Sequence, residues 1–158
     1  MPLCCLHSNS PDCTIALARD LAAHLRPGMA LALTGELGSG KTLFVKGLAK
    51  GLGHPDVVVS PSFTLINEYD SPGRTPLYHC DWYRLTSSQE CEALGFSDYL
   101  GGDGVIVVEW ADRVPEVLPA GHLSIHFKAA GPDERVLEIS ASGDLYSQLL
   151  EEWKTCSR

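Results

Sequence analysis

The chain has 158 residues, a hydrophobic fraction of 44% and a formal net charge of −8. That length suits one domain with a substantial core, and the hydrophobic fraction is too high for a disordered chain. The acidic balance and the lack of a basic cluster in the sequence argue against a protein that binds nucleic acid unaided.

The six cysteines lie at positions 4, 5, 13, 80, 91 and 156, and no Cys-x-x-Cys pair occurs in the sequence. A zinc site is therefore poorly supported, and we interpret the cysteines as reduced thiols. The first ten residues lack the basic start and long apolar core of a secretory signal, and no run reaches the length of a membrane span. We expect a cytoplasmic protein with no membrane contact.

The predicted elements begin with a helix, a strand and a second helix. Residues 1–10 are expected to be loosely ordered. Asp12 is a plausible N-cap for a helix over residues 13–25, whose apolar side chains recur at helical spacing. Residues 29–34 form a short apolar run typical of a buried strand, and residues 43–49 return to helical spacing.

The second half of the chain predicts mostly strands. In chain order the predicted strands are residues 57–59, 65–69, 75–80, 105–108, 122–128 and 135–141. Turn residues at 70–73 and at 131–133 join two pairs of them as hairpins. The capping-box spacing of Ser87 and Glu90 predicts a short helix, and residues 144–154 predict an amphipathic terminal helix.

The segment GELGSGKT at residues 35–42 matches the phosphate-binding loop pattern G-x-x-x-x-G-K-[ST] at every fixed position. Glycines allow successive backbone N–H groups to converge on phosphate oxygens, and the following helix presents the positive end of its dipole. In this pattern Lys41 would reach the β- and γ-phosphates, and the Thr42 hydroxyl would bind Mg²⁺. A chance glycine-rich turn is the alternative, and a match of this length between a strand and a helix disfavours it.

Two carboxylates are candidates to act with this loop. Glu109 ends the apolar strand at residues 105–108, where phosphate-loop proteins place a Mg²⁺ ligand; the alternative is a surface glutamate that ends a strand. Asp81 follows a predicted strand and would face the γ-phosphate, either orienting water or assisting Mg²⁺. Alternatively it caps a helix or pairs with Arg84. Trp110 is either a core residue or a wall of the nucleotide pocket.

Three hydroxyl side chains, on Ser60, Ser62 and Thr64, lie around a proline, which suits a switch segment that senses the γ-phosphate and its metal. On composition alone, a plain turn is the stronger interpretation. His79 precedes Asp81 by two residues, so both side chains would point the same way on a strand. This spacing permits a metal pair, although a packed histidine is the more frequent arrangement.

Together these segments resemble the TsaE (YjeE) family of bacterial P-loop ATPases, which serves threonylcarbamoyladenosine modification of tRNA. The resemblance rests on GELGSGKT at residues 35–42, SPSFTL at 60–65, HCDWYRL at 79–85 and VEW at 108–110. These motifs occur in family order and near family spacing across almost the whole chain. The predicted fold is therefore α/β: a three-layer α/β/α P-loop NTPase domain over residues 1–158, with a mixed, mainly parallel sheet plus antiparallel strands.

The resemblance also implies ligands, roles and partners. ATP would contact Trp110 and the loop residues Glu36, Leu37, Gly38, Ser39, Gly40, Lys41, Thr42 and Leu43. The remaining implied roles are Mg²⁺ ligation by Thr42 and Glu109, catalysis by Asp81 and Lys41, and switching by Ser62 and Thr64. The implied partners are the TsaB and TsaD proteins, with tRNA reached only indirectly through their complex.

We therefore predict a weak Mg²⁺-dependent ATPase that works as a subunit in tRNA modification. One alternative is a P-loop small-molecule kinase with Asp81 as base, against which the sequence offers no arginine-rich lid segment. Another is a non-catalytic module in which ATP orders a surface for a partner. A GTPase is disfavoured because the guanine-reading sequence Asn-Lys-x-Asp does not occur in the chain.

Overall fold

The computed structural model describes residues 3–55 and 57–156. The strands are β1 Leu3–Ser8, β2 Ala30–Gly35, β3 Ile66–Tyr69, β4 Leu77–Asp81, β5 Val105–Glu109, β6 His122–Ala129 and β7 Arg135–Ser142. The helices are α1 Pro11–Ala22, α2 Lys41–Gly51, α3 Ser88–Ala93 and α4 Asp144–Cys156. None of the helices within the described residues combines the length and the apolar character needed to cross a membrane.

The seven strands form one mixed sheet in the order β1-β7-β6-β2-β5-β4-β3. Its centre is parallel, because β2 pairs in parallel with β5 and β6, and β5 pairs in parallel with β4. Antiparallel strands extend it on both sides, through the pairs β3–β4, β6–β7 and β1–β7. The two predicted hairpins and the mixed sheet are therefore confirmed.

Apolar cores lie on both faces of the sheet, as an α/β/α arrangement requires. On β2, Leu31 and Leu33 belong to the core under α1, α2 and α4, whereas Ala30 and Ala32 belong to the core on the face that carries α3. All five residues of β5 are buried. A strand covered on both faces has a continuous apolar sequence, as the β2 and β5 segments do.

Helices α1 and α2 approach each other closely through two glycines spaced four residues apart. A Cβ added at Gly47 would lie 2.5 Å from the Ile15 carbonyl oxygen and 2.6 Å from Ala18 Cβ. A Cβ added at Gly51 would lie 2.5 Å from Ala22 Cβ. This contact holds the helix of the phosphate loop against α1, so the glycines contribute to the placement of the loop.

We expect Gly47→Ala to lower the free energy of unfolding by roughly 1–2 kcal/mol. Overpacking against the α1 backbone costs more than the gain of about 1 kcal/mol that alanine brings to a helix interior. Urea unfolding followed by tryptophan fluorescence measures the difference. The control is Lys46→Ala, because Lys46 is an exposed neighbour on the same helix. An unfolding midpoint for Gly47→Ala at or above that of the wild type would contradict the close contact.

Residues 3–8 form the strand β1, so the expectation of a loose start was wrong for that part of residues 1–10. From Leu3 opposite Ser140 to Ser8 opposite Arg135, β1 pairs with β7. Cys4 packs against the core beneath the strand. Because β7 is far from β1 in sequence, the composition of residues 3–8 does not predict this pairing. Residues 1 and 2 lie outside the described part of the chain.

The first helix starts earlier than predicted because a different residue caps it. The Ser10 hydroxyl accepts the Cys13 N–H at 3.1 Å, and Pro11 occupies the first turn, where its missing N–H costs nothing. Asp12 therefore lies inside the first turn of α1 and does not cap it. The helix ends at Ala22, three residues before the predicted end.

Residues 57–59 are not a strand, in contrast to the prediction. Val57 and Val59 are 81% and 58% exposed, and only Val58 is buried. The position beside β4 is taken by β3, so the segment has no ladder to join. Its backbone groups pair with side chains instead: the Val59 N–H donates to the Tyr69 hydroxyl at 3.3 Å, and its carbonyl accepts from Asn67 Nδ2 at 3.1 Å.

Candidate active site

The glycine-rich turn after β2 leads into a helix N-terminus without a side-chain cap. At Gly35 the backbone has φ +137°, and a Cβ there would lie 2.7 Å from the Phe127 carbonyl oxygen. Gly40 has φ +108° and is the N-cap of α2, with no side-chain hydrogen bond to the helix end. The first N–H groups of α2 are therefore available to an anion, which the helix dipole also favours.

Lys41 is 4% exposed, and its ammonium group is fixed inside the loop. Its Nζ donates to the carbonyl oxygens of Gly35 at 2.7 Å and Glu36 at 2.8 Å, and to Ser39 Oγ at 3.3 Å. The same Nζ lies 4.3 Å from the centre of the Trp110 ring. These contacts place one positive charge at the centre of the glycine-rich turn.

Burial lowers the pKa of Lys41 from its usual value, because desolvation disfavours the charged amine. Nearby carboxylates oppose this shift, in decreasing order Glu109, Asp112, Asp81 and Glu36. Phosphate groups beside the ammonium would favour its charged form in the same way. An anion bound at the loop would therefore stabilise the charged form of Lys41.

The two predicted Mg²⁺ ligands lie in direct contact. Glu109 is 3% exposed at the end of β5, and Thr42 lies in the first turn of α2. The Thr42 hydroxyl donates to Oε1 and Oε2 of Glu109 at 3.0 and 2.9 Å. Asp81 is the register partner of Glu109 on the neighbouring parallel strand and is 5% exposed. Both carboxylates thus end adjacent strands beside the phosphate loop.

The Asp81 carboxylate is held at both oxygens. Its Oδ1 accepts the backbone N–H of Tyr83 at 2.9 Å, and its Oδ2 accepts from the Ser60 hydroxyl at 3.4 Å. The Ser60 and Ser62 hydroxyls are 2.9 Å apart. Of the three predicted switch hydroxyls, Ser60 therefore contacts Asp81, and Ser62 is linked to it through Ser60. Neither a helix cap nor a salt bridge to Arg84 accounts for the Asp81 contacts in the described residues.

The Thr64 hydroxyl makes different contacts from those of Ser60 and Ser62. Its Oγ1 donates to Asn67 Oδ1 at 2.8 Å, and the amide of Asn67 in turn donates to the Val59 carbonyl. Leu65, the next residue, has φ +70°, and its carbonyl accepts the Asp81 N–H at 3.0 Å. Thr64 thus braces the segment between residues 59 and 67, while Leu65 attaches that segment to β4.

Aromatic rings form one wall beside the loop. Trp110 has φ +58°, a left-handed conformation that is uncommon outside glycine and that turns the chain directly after Glu109. Its ring centre lies 4.8 Å from that of Tyr83, and the Arg113 guanidinium lies 5.0 and 5.5 Å from the Tyr83 and Trp110 rings. Trp110 lines the cavity beside the loop and also packs against the core on the α3 face, so its position is compatible with both interpretations.

Arg135 holds the loop from the side of β7, a contact that sequence reasoning missed. Its Nε donates to the Ser39 carbonyl at 2.9 Å, and its Nη2 donates to the Gly38 carbonyl at 3.3 Å. The approach depends on β6 pairing with β2, which sets Phe127 opposite Gly35 and brings the β6–β7 turn beside the loop. No local sequence signal predicts the pairing of β6 with β2.

These groups surround a cavity of about 510 Å³, within the range of small-molecule sites. Predicted site residues that line it are Leu37, Gly38, Ser39, Gly40, Lys41, Thr42, Leu43, Ser60, Ser62, Asp81, Glu109 and Trp110. Among the other lining residues are Pro11, Thr14, Tyr83, Pro132, Asp133 and Arg135. Of the predicted residues, Glu36 and Thr64 do not line the cavity; Glu36 contributes its carbonyl oxygen to Lys41.

The donor set suits a metal ion that shares its coordination with a substrate. Mg²⁺ commonly takes one or two carboxylates together with substrate phosphates and water. Thr42, Glu109 and the adjacent Asp81 supply such oxygens next to the helix N-terminus. Within the described residues no group of three or more His, Cys, Asp or Glu is arranged as a metal cage. His79 and Asp81 therefore do not belong to a multi-ligand cluster of that kind.

A strand, a glycine-rich loop, a helix that begins with Lys-Thr and a buried acid on the neighbouring parallel strand define a P-loop NTPase-like protein. The family model described as "Threonylcarbamoyl adenosine biosynthesis protein TsaE" matches residues 8–137. The chain belongs to the TsaE family.

Curated proteins named TsaE align with this chain over most of their length. The tRNA threonylcarbamoyladenosine biosynthesis protein TsaE of Bacillus subtilis is 48% identical over 143 residues, covering 90% of this chain and 89% of that protein. TsaE of Nostoc is 38% identical, covering 88% and 86%, and TsaE of Haemophilus influenzae is 32% identical, covering 82% and 81%. The crystal structure of Bacillus subtilis YdiB has a TM-score of 0.86 and 40% identity, covering 99% of this chain and 97% of that one.

Proposed function

We propose that the protein is a Mg²⁺-dependent ATPase subunit that supports threonylcarbamoyladenosine modification of tRNA together with TsaB and TsaD. The observation that carries the proposal is the convergence of Lys41, Thr42, Glu109 and Asp81 on one cavity. The pathway is supported by family membership and by the curated relatives, which are named for threonylcarbamoyladenosine biosynthesis.

The phosphates of ATP would bind at the α2 N-terminus. The uncapped N–H groups after Gly40 and the Lys41 ammonium would satisfy the anionic oxygens. Arg135 supports this arrangement indirectly, because its hydrogen bonds to Ser39 and Gly38 fix the loop carbonyls and hence the direction of the loop amides. A loop already held in this way loses little conformational entropy when it binds its ligand.

Thr42 and Glu109 would hold Mg²⁺, which neutralises phosphate charge and polarises the γ-phosphoryl group. Their mutual hydrogen bonds keep both oxygen donors beside the phosphate loop. The burial of Glu109 limits competition from solvent for its carboxylate. A single buried acid with an adjacent hydroxyl is the donor set that phosphate-bound Mg²⁺ requires from the protein.

In hydrolysis, a bond forms between the water oxygen and the γ-phosphorus as the bond to the β–γ bridging oxygen breaks, giving ADP and phosphate. Asp81 lines the cavity and would orient that water through Oδ2, the oxygen that accepts from Ser60. Tyr83 fixes the other oxygen through its backbone N–H, so the carboxylate has one defined orientation. Lys41 would stabilise the charge on the transferred group.

Exposed apolar side chains beside the cavity favour a protein partner. Leu37 and Phe63 are each 84% exposed, and Val59 is 58% exposed. The Arg84 guanidinium lies over the Phe63 ring, 4.8 Å from its centre. Large exposed apolar groups around a functional site mark interaction surfaces. With a net charge of −8, the protein would reach tRNA through TsaB and TsaD.

The proposal is tested by ATP turnover of the purified protein, alone and with TsaB, TsaD and tRNA, in Mg²⁺ and in EDTA. We expect slow turnover alone, faster turnover in the complete mixture, and none in EDTA. Serum albumin in place of TsaB and TsaD is the control for non-specific activation. ATP binding without turnover in any mixture would leave a nucleotide-gated binding module. Phosphate transfer to an added hydroxyl compound would instead indicate a kinase.

A further inference from the structure

His79 is a buried polar side chain close to the buried carboxylates of Asp81 and Glu109. It is fully buried on β4, two residues before Asp81, and its Nε2 hydrogen-bonds to Oε2 of Glu109. Oε2 also accepts from the Thr42 hydroxyl, as Oε1 does. Glu109 is therefore held from the helix side by Thr42 and from the strand side by His79.

The imidazole has a defined donor direction. Its Nδ1 is buried and has no hydrogen-bond partner among the described residues. A proton on Nδ1 would be an unsatisfied buried donor, which is unfavourable, so we assign the proton of the neutral ring to Nε2, directed at Glu109. The surroundings are apolar: Leu77, on the same strand and face, and Val107, the register partner, both belong to the core.

Packing alone does not account for a histidine at this position. An apolar side chain of similar volume would fill the space beside Leu77 and Val107 without leaving a buried ring nitrogen unpaired. What only a polar side chain supplies here is the hydrogen bond to Glu109. Outer hydrogen bonds of this kind orient the groups that bind metals, and losing one commonly weakens metal binding 10- to 100-fold.

We propose that His79 is a positioning residue for the metal site: its Nε2–H fixes the Glu109 carboxylate so that this carboxylate and Thr42 bind Mg²⁺ together. The inference rests on the proposed function and deepens it. His79 itself does not contact the metal or the nucleotide; it acts through Glu109. Without the donor, the Thr42 hydroxyl, which contacts both carboxylate oxygens, holds Glu109 from the helix side alone, and the terminal torsion of the carboxylate is less restricted.

The test compares two replacements of similar length. His79→Gln retains an N–H near the position of Nε2, whereas His79→Met fills the buried site without any donor. ADP is the probe, titrated calorimetrically in EDTA and across a Mg²⁺ series. We expect His79→Met to raise the half-saturating Mg²⁺ concentration about 10- to 100-fold while its ADP affinity in EDTA is unchanged. His79→Gln is expected to follow the wild type.

Val107→Ala is the matched packing control, because Val107 is fully buried opposite His79 and makes no polar contact with the site. An equal rise in Mg²⁺ requirement in Val107→Ala, or an equal loss in the Gln and Met variants, would overturn the positioning role. A His79→Met variant whose half-saturating Mg²⁺ concentration equals that of the wild type would also overturn it. A wild-type protein that binds no ADP, or whose ADP binding ignores Mg²⁺, would instead overturn the proposed function on which the inference rests.

Discussion

Asp81→Asn is expected to reduce ATP turnover by roughly 10²- to 10⁴-fold, the range that a positioned acid or base contributes. The substitution keeps the shape of the side chain and leaves an oxygen to accept the Tyr83 N–H. The Ser60 hydroxyl can accept from the new amide in place of donating to Oδ2. The loss is therefore confined to the negative charge that would orient the attacking water.

Steady-state phosphate release in the complete mixture measures this effect, and calorimetric titration with ADP measures binding. ADP affinity is expected to stay near that of the wild type, since Asp81 contacts neither the loop nor Lys41 through a hydrogen bond. Asp20→Asn makes the same chemical change at an exposed position on α1 and should leave turnover unchanged. Equal turnover in Asp81→Asn and wild type would transfer the catalytic role to another group.

Lys41→Met is expected to weaken ADP binding about 100-fold, which corresponds to the loss of one or two charge-assisted hydrogen bonds of about 1.5–3 kcal/mol each. Methionine preserves the aliphatic stem beside Trp110 and removes only the ammonium. The control variant is Lys46→Met, which removes an exposed ammonium from the same helix. Titration calorimetry that finds equal ADP affinity in the two variants would rule out phosphate binding by Lys41.

The same binding has an expected pH dependence. The charged amine binds phosphate, and burial lowers the pKa of Lys41. Affinity in the wild type should therefore fall as pH rises through that lowered pKa, beginning at a lower pH than for an exposed lysine. Lys41→Met should show no such fall over the same range, which separates the Lys41 contribution from general changes in the protein.

Much of the fold could be predicted because its central elements carry local signals. The runs at β2 and β5 are apolar on both faces, the loop pattern lies between a strand and a helix, and the β6–β7 hairpin alternates around a Gly-Pro-Asp turn. Each of these signals arises within about a dozen neighbouring residues. Thr42 lies next to Glu109 because β2 and β5 are adjacent and parallel; these strands are distant in sequence, and their pairing was expected from the usual arrangement of phosphate-loop proteins.

What could not be predicted depends on pairing between distant segments. β1 is ordered because it pairs with β7, and residues 57–59 lack a strand because β3 occupies the edge beside β4. Arg135 reaches the loop only because β6 lies beside β2. The contact of His79 with Glu109 likewise needs the register of β4 against β5, which neither residue type nor spacing specifies.

That register has a consequence for folding itself. Side chains alternate between the faces of a strand, so a slip of β4 by one residue would turn His79 and Asp81 into the apolar layer that carries α3. Trp82 would then be forced toward the helix of the phosphate loop, and two polar groups would be buried without partners. A chain with β4 in the shifted register would therefore be less stable than the native one. The residues that would serve a nucleotide also discriminate between correct and incorrect assembly of the sheet.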